Sequence, residues 1–182
     1  AVGFDLYSQL LTQAVEEARA GADGASPPQA LEERAEVAVS LRIPAQIPPY
    51  YVEDLPTRLG LYQRLTRARD VDEVHQVQVE LRDRFGTVPQ EAHNLLFNVR
   101  VRVLAERAGV ESVARENRQR GNVVIRLRED VGGATLALAK AFTDAGLPVS
   151  VGNRLLHLQT GGLDRPWGQA LLELLEGVAA FR

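Results

Sequence analysis

Apolar residues in the first third of the chain recur at steps of three and four, the period of an amphipathic helix. Phe4, Tyr7 and Leu11 fall on one face of such a helix. Residues 21–28 then form a stretch rich in glycine, alanine and proline, with Asp23 and Ser26, that is typical of a flexible linker or an exposed loop. We therefore assign residues 1–34 to a helix and linker that continue from an upstream domain, and residues 35–182 to a domain of their own.

A short strand is predicted over residues 36–41, where valines alternate with smaller residues. Pro44, Pro48 and Pro49 prevent it from continuing as a central strand, because proline has no N–H to donate to a ladder. We interpret the chain up to residue 55 as a connector and not as part of a core.

The middle third is predicted to be helical. Pro56 is placed to begin one helix. Asp70 and Glu73 resemble an acidic capping box that begins a second helix, which ends at Phe85-Gly86. The alternation of apolar and polar residues over 77–81 also fits a strand.

A third helix is predicted to end at Gly109. Thr87 with Gln90 repeats the capping signal, and Pro89 is expected in the first turn of the helix. Because the joints between the three helices are short, we expect them to pack as antiparallel or crossed neighbours.

The hydrophobic period changes from helical to alternating after Gly109. Residues 123–128 alternate as a half-buried strand does, and Gly121-Asn122 predicts a hairpin back to residues 110–118. An apolar helix is expected over residues 132–145.

A second hairpin is predicted around Gly152-Asn153, a two-residue turn that favours positive φ and joins strands over 147–151 and 155–159. A last amphipathic helix carries Trp167, Leu171 and Val178.

These elements predict an α+β fold. A helical part at about 56–109 is followed, without a long linker, by a ββαββα part at about 110–182. An antiparallel sheet with helices packed on one face buries these apolar surfaces most economically.

Composition narrows the function. The chain has no cysteine, which excludes disulfides and thiolate metal sites. Its net charge of −3 argues against a dedicated nucleic-acid binder. No run of about 18 apolar residues predicts a membrane span. The chain begins Ala1-Val2-Gly3 without methionine, so we expect a segment of a longer cytoplasmic protein.

No catalytic motif is present in the sequence. We find no glycine-rich phosphate loop, no H-E-x-x-H and no G-x-S-x-G. His75, His93 and His157 are far apart in sequence, and we interpret them as ordinary helix or strand residues. We predict no catalytic site, no cofactor and no metal.

A cluster of basic residues surrounds the first hairpin: Arg115, Arg118, Arg120, Arg126 and Arg128. Arginines on one strand face are suited to contact phosphates. No aromatic residue lies between them, so a platform for stacking bases is missing. The alternative interpretation is a solvated outer face of the sheet, and contact with DNA stays open.

Three motifs in the middle third carry a family resemblance. They are Ile-Pro-Pro-Tyr-Tyr-Val at 47–52, Arg-Leu-Gly-Leu-Tyr-Gln-Arg-Leu at 58–65 and Glu-Leu-Arg-Asp-Arg-Phe-Gly at 80–86, followed by Pro89 and Asn-Leu-Leu at 94–96. Together they resemble the C-terminal regulatory domain of the bacterial transcription-repair coupling factor family. Gly-Phe-Asp-Leu-Tyr at 3–7 is similar to the segment that follows the translocation motif of that family's motor. Residues 110–182 match mainly in the order of their elements.

The resemblance implies a role inside a larger machine. The family is an ATP-driven translocase on double-stranded DNA, which dislodges stalled RNA polymerase and recruits the damage-recognition subunit excinuclease A (UvrA). Its ATPase and polymerase-binding modules lie upstream of this segment. The C-terminal domain packs onto the module that binds excinuclease A in the same protein, masks it and restrains the motor. We expect a monomer that does not bind membranes.

The resemblance also assigns this packing to Glu80 and Asp83. The two residues are three apart and share a helix face. Glu80 is explained equally by an i,i+4 pair with Arg84. Asp83 lies in the last helical turn, where the helix dipole disfavours an anion by about 0.3–1 kcal/mol, and neither Arg82 nor Arg84 is expected to face it.

Two other functions stay open at this point. The first is an accessory domain that contacts nucleic acid through the cluster between Arg115 and Arg128. The second is a structural module that only completes the fold of the motor.

Overall fold

The structure is a computed structural model, and it describes residues 37–116 and 121–181. The helix and linker expected over residues 1–34 lie outside the described residues, as do Arg118 and Arg120. The elements are β1 (Ala38–Ser40), α1 (Leu55–Arg67), α2 (Val71–Phe85), α3 (Gln90–Arg107), β2 (Val110–Arg115), β3 (Val123–Leu127), α4 (Thr135–Asp144, preceded by a 3₁₀ turn at Gly132–Ala134), β4 (Val149–Val151), β5 (Leu155–Leu158) and α5 (Trp167–Ala180).

The predicted α+β fold is confirmed, including the ββαββα order of the elements from β2 to α5. The pairs β2–β3, β3–β5 and β4–β5 are antiparallel. One strand enlarges the predicted sheet: β1 pairs with β2 in parallel, with Val39 opposite Val113. The result is a five-stranded sheet in the order β1-β2-β3-β5-β4.

For residues 37–54, the interpretation of the chain as a connector was wrong. Val37 and Leu41, on either side of β1, are buried in the core of the sheet. Ile47 and Val52 are buried among the first three helices. The segment therefore contributes to both cores, because β1 has its partner strand in β2, far along the chain.

Two clusters of buried side chains meet at α3. Val99 and Val103 pack with α1 and α2, whereas Val101 and Leu104 pack with α4, α5 and the sheet. Because two layers cover it on different sides, α3 has buried apolar side chains on more than one face. This shared helix joins the helical part to the α+β part.

Among the described residues, helices cover one face of the sheet. Val113, Ile125 and Leu156 lie on the covered face and are fully buried. Arg126, one position away from Ile125, is exposed on the other face. The alternation of apolar and polar residues in these strands therefore reflects one face buried against helices and one face in solvent.

The start of α2 confirms its capping signal. The side chain of Asp70 accepts a hydrogen bond from the Glu73 N–H at 2.8 Å, and the Glu73 carboxylate accepts one from the Arg69 N–H at 2.9 Å. The first bond satisfies an N–H that the helix leaves free, and the second ties the residue before the N-cap to the first turn. Residues 77–81 are helical and not extended, which settles the ambiguity in their pattern.

The capping signal predicted at Thr87 was wrong. Pro89, with ψ of 159°, is extended and precedes the first residue of α3, and no side chain caps this helix. The Gln90 amide instead donates to Asn94 at 3.0 Å, so its side chain points along the helix and away from residue 87.

The turn between β4 and β5 also differs from its prediction. Three residues, 152–154, separate the strands, and neither Gly152 nor Asn153 has a positive φ. Arg154 is held by β3: its carbonyl accepts from the Leu127 N–H at 2.9 Å, and its Nε donates to the Leu127 carbonyl at 3.2 Å. Pairing with a third strand therefore shapes the turn.

Candidate docking surface on the second helix

α2 presents its charged face to solvent. Val74, Val77 and Leu81 are buried against the neighbouring helices, as their spacing predicts. On other sides of the helix, the side chain of Asp83 is 60% exposed and that of Glu80 is 26% exposed. The two predicted docking residues therefore differ in how much of each carboxylate a partner can reach.

Glu80 is engaged within the domain. One carboxylate oxygen accepts from Arg64 of α1, and the other accepts from Arg84 Nη1 at 2.6 Å. The hydrogen bond from Arg64, and then that from Arg84, lowers the pKa of Glu80 below its usual value. The expected i,i+4 pair with Arg84 is thus present, and the pair with Arg64 additionally joins α2 to α1.

Asp83 makes a longer and more exposed contact. Arg82 Nε and Nη2 both lie 3.3 Å from Asp83 Oδ1. The expectation that Arg82 does not face Asp83 was therefore wrong. The arginine side chain is long and flexible, so its guanidinium can fold back along the helix surface to the neighbouring residue. Both side chains remain mostly solvated, so this pair contributes little to stability.

The motifs that carry the family resemblance contact one another. The hydroxyl of Tyr62 accepts the Ile47 N–H at 2.7 Å in a buried position, which joins the first motif to the second. The hydroxyl of Tyr51 lies 2.8 Å from the Leu81 carbonyl and 3.1 Å from that of Gly86, which joins the first to the third. Much of the motif pattern therefore serves the fold of the helical part.

Tyr50 is the aromatic residue of these motifs that lies in solvent, since it is 70% exposed. It lies in a tight turn in which the Pro48 carbonyl accepts from the Tyr51 N–H at 3.0 Å and the Val52 N–H at 3.1 Å. Leu55, at the start of α1, is also exposed, by 43%. Sequence reasoning missed both residues, although Pro-Pro before Tyr50 indicates a rigid turn.

The described members of the arginine cluster do not share a face. Arg115 lies over the Trp167 ring at 4.5 Å, on the side of the sheet covered by helices, and donates to the Gly121 carbonyl at 3.1 Å. Arg126 is exposed on the opposite face, and Arg128 Nε donates to the Val110 carbonyl at 3.1 Å. Strand alternation separates these side chains.

Two of the histidines line one groove. His75 of α2 and His93 of α3 border a cavity of about 500 Å³ together with Gln78 and Arg82. His157 lies on β5, opposite Val124 and Ser150. Within residues 37–116 and 121–181, no three His, Cys, Asp or Glu side chains come together in a group suited to a metal ion. In the same ranges, none of the helices is long and apolar enough to cross a membrane.

The fold is that of a known domain. A crystal structure of the C-terminal domain of transcription-repair coupling factor superposes with a TM-score of 0.59 at 18% identity, covering 80% of this chain and 92% of that chain. The α+β architecture of this chain is thus already seen in a solved structure.

Sequence relatives define the family. The model of the TRCF domain matches residues 41–132. The transcription-repair-coupling factor of Escherichia coli (strain K12) is 34% identical over 125 residues, 68% of this chain and 10% of the relative. That of Staphylococcus aureus (strain USA300) is 31% identical over 162 residues, 86% of this chain and 13% of the relative. The chain belongs to the transcription-repair-coupling factor family, and it spans only 10% to 13% of the length of these relatives.

Proposed function

We propose that this domain is the non-catalytic regulatory domain of a transcription-repair coupling factor. It packs onto the module of the same protein that binds excinuclease A, masks that module and restrains the motor. The observation that carries the proposal is the mostly exposed carboxylate of Asp83 on the solvent face of α2, in a chain of this family.

The chemistry of α2 supports a basic partner surface. An ion pair at the rim of an interface contributes at most about 1 kcal/mol, whereas breaking a desolvated pair costs several. Asp83 can form such a pair without losing a strong internal contact. Glu80 is already bound by Arg64 and Arg84, so we propose that it orients the helix and contributes less to the contact itself.

The test is charge reversal in the full-length protein. We expect Asp83→Arg to increase excinuclease A binding and basal ATP hydrolysis, because it sets two positive charges against each other across the interface. The matched control is Asp144→Arg, the same change at an exposed position at the end of α4. It should alter neither quantity.

A compensating substitution and a DNA-binding measurement distinguish docking through α2 from the alternative functions. A compensating acidic substitution on the basic partner surface should restore masking at least partly. If Asp83→Arg leaves the domain folded and binding unchanged, α2 is a solvated face and the docking proposal is wrong. Steeply salt-dependent binding of duplex DNA by the isolated chain would instead support the accessory role through the arginines.

The remaining parts of the proposal follow from the family. We propose that the parent protein is a cytoplasmic, ATP-driven DNA translocase that acts on stalled RNA polymerase and recruits excinuclease A. We also propose that the present chain is monomeric and hydrolyses no ATP. Saturable ATP hydrolysis by highly purified chain, free of contaminating ATPase, would contradict the non-catalytic assignment.

A further inference from the structure

Tyr50 is a large aromatic side chain held in solvent by a rigid turn. The turn has two prolines in front of Tyr50 and two backbone hydrogen bonds to the Pro48 carbonyl. The next residue, Tyr51, is fixed by its hydroxyl contacts and by the edge of the Phe85 ring, with ring centroids 5.9 Å apart. The backbone that carries Tyr50 is therefore already ordered before any partner binds.

An ordered, exposed tyrosine suits protein recognition. Tyrosine offers a large contact area with few rotatable bonds, and it is enriched among the residues whose truncation weakens interfaces most. Burying Tyr50 adds little ordering cost, because the turn holds its backbone in one conformation. Leu55, the first residue of α1, is a second exposed apolar residue close to Tyr50 in the chain.

This turn lies against the end of α2 that carries Asp83. The hydroxyl of Tyr51 contacts the carbonyls of Leu81 and Gly86, which bracket Asp83 in the chain. The apolar surface at Tyr50 and the charged surface at Asp83 are therefore parts of one end of the helical part.

The charges around the turn favour a basic partner. Arg58 donates to the Val52 carbonyl, and Arg84 is bound to Glu80 and lies 5.0 Å from the centre of the Phe85 ring. These two cations are engaged within the domain, and the exposed Arg82 is the cation that pairs with Asp83. Glu53, which is exposed next to the turn, adds a second carboxylate to that of Asp83.

We infer that Tyr50 is the apolar anchor of the docking surface whose charged member is Asp83. The partner is a protein surface that places an apolar pocket beside a basic side chain. This inference rests on the proposed function. Tyr50 supplies most of the affinity of the contact, and Asp83 supplies charge complementarity.

The test compares three substitutions in the full-length protein, with the apparent Kd for excinuclease A as the readout. We expect Tyr50→Ala to unmask binding by about tenfold or more, the effect typical of a truncated anchor. Tyr50→Phe keeps the ring and should stay within about threefold of the parent. Leu136→Ala is the matched control, because Leu136 is 82% exposed on α4 in the other part of the domain. It should have no effect.

The outcomes separate this inference from the proposed function. If Asp83→Arg unmasks binding and Tyr50→Ala does not, Tyr50 is no anchor while the docking proposal stands. If neither variant unmasks binding, the docking proposal itself fails. Equal release by Tyr50→Ala and Leu136→Ala would also overturn the inference, since the effect would not depend on position.

Discussion

Arg64 in the last turn of α1 and Glu80 on α2 form an ion pair that crosses between the two helices. Arg84 occupies the other oxygen of the same carboxylate. The Glu-x-x-Asp pair on α2 thus divides its roles, with Glu80 turned inward to the domain and Asp83 turned outward to solvent.

Replacing Glu80 with alanine should destabilise the domain more than replacing Asp83 with alanine. We expect Glu80→Ala to lower the free energy of unfolding by about 0.5–1 kcal/mol, because two partly exposed ion pairs are lost. Asp83→Ala should change it by less than about 0.5 kcal/mol, since an exposed anion is removed from a helix C-terminus. Urea unfolding of the isolated chain measures both.

A double-mutant cycle isolates the contact between the helices. Combining Glu80→Ala with Arg64→Ala should cost less than the sum of the two single changes. Equal destabilisation by Glu80→Ala and Asp83→Ala, or strict additivity in the cycle, would contradict the assigned roles.

The same ion pairs predict a dependence of stability on pH. Hydrogen bonds from Arg64 and Arg84 lower the pKa of Glu80 in the folded state, so the unfolded state binds the proton more tightly. The stabilisation is therefore complete above the ordinary glutamate pKa of about 4.3 and is lost as pH falls through the lower folded pKa.

Unfolding between pH 7 and pH 3 provides the measurement. Glu80→Gln should reduce the loss of stability below about pH 5, because its side chain does not titrate. The pKa of Asp54 is also lowered, chiefly by its hydrogen bonds to Thr57, so part of the acid sensitivity should remain. An unchanged pH profile in Glu80→Gln would contradict the prediction.

The buried hydroxyl of Tyr62 should contribute more to the stability of the domain than the exposed hydroxyl of Tyr50. Tyr62→Phe leaves the Ile47 N–H without the acceptor that lies at 2.7 Å. An unsatisfied buried donor costs about 1–3 kcal/mol. Tyr50→Phe removes a hydroxyl from a 70% exposed side chain and serves as the control, which should unfold like the parent. Thermal unfolding of both variants measures the difference. Equal melting temperatures would show that the hydrogen bond between the Ile47 N–H and Tyr62 contributes nothing to stability.

Arg102 should resist replacement by lysine. Its Nη2 donates to the carbonyls of Leu65 at 3.1 Å and Ala68 at 2.9 Å, and its side chain is only 13% exposed. Its Nη1 donates to Glu106 Oε1 at 3.1 Å, so one planar guanidinium joins the end of α1 to Glu106 of α3. A lysine ammonium cannot reproduce this two-armed contact. We expect Arg102→Lys to lower the free energy of unfolding by about 1–3 kcal/mol.

The control for this change is Arg67→Lys, at an exposed position in the last turn of α1. It should change stability by less than about 0.5 kcal/mol. Denaturant unfolding compares the two, and similar midpoints would contradict the role given to Arg102.

Much of the secondary structure was predictable because its signals are local. Asp70 and Glu73 marked the start of α2, and the alternation after Gly121 marked β3, since caps and strand periods depend on residues only a few positions apart. The same reasoning failed at Thr87, where Gln90 turns toward Asn94, and at Gly152, where β3 holds the turn through Arg154.

The candidate site was only partly predictable for the same physical reason. Family resemblance pointed to Glu80 and Asp83, but their sequence positions do not show that Arg64 of another helix binds one of them. Tyr50 and Tyr51 are adjacent tyrosines, and only the packing of Tyr51 against α2 leaves the other in solvent.

The sequence by itself determined the order of most helices and strands, which of their faces are apolar, and which family the motifs resemble. Each depends on the order of neighbouring residues. Tertiary structure alone decided that β1 joins β2 and that Arg115 and Arg126 lie on opposite faces of the sheet. It also decided which carboxylate on α2 faces solvent. The strand pairing, the position of Arg115 over Trp167 and the ion pair of Arg64 with Glu80 all join residues that are far apart in the chain and that only folding brings together.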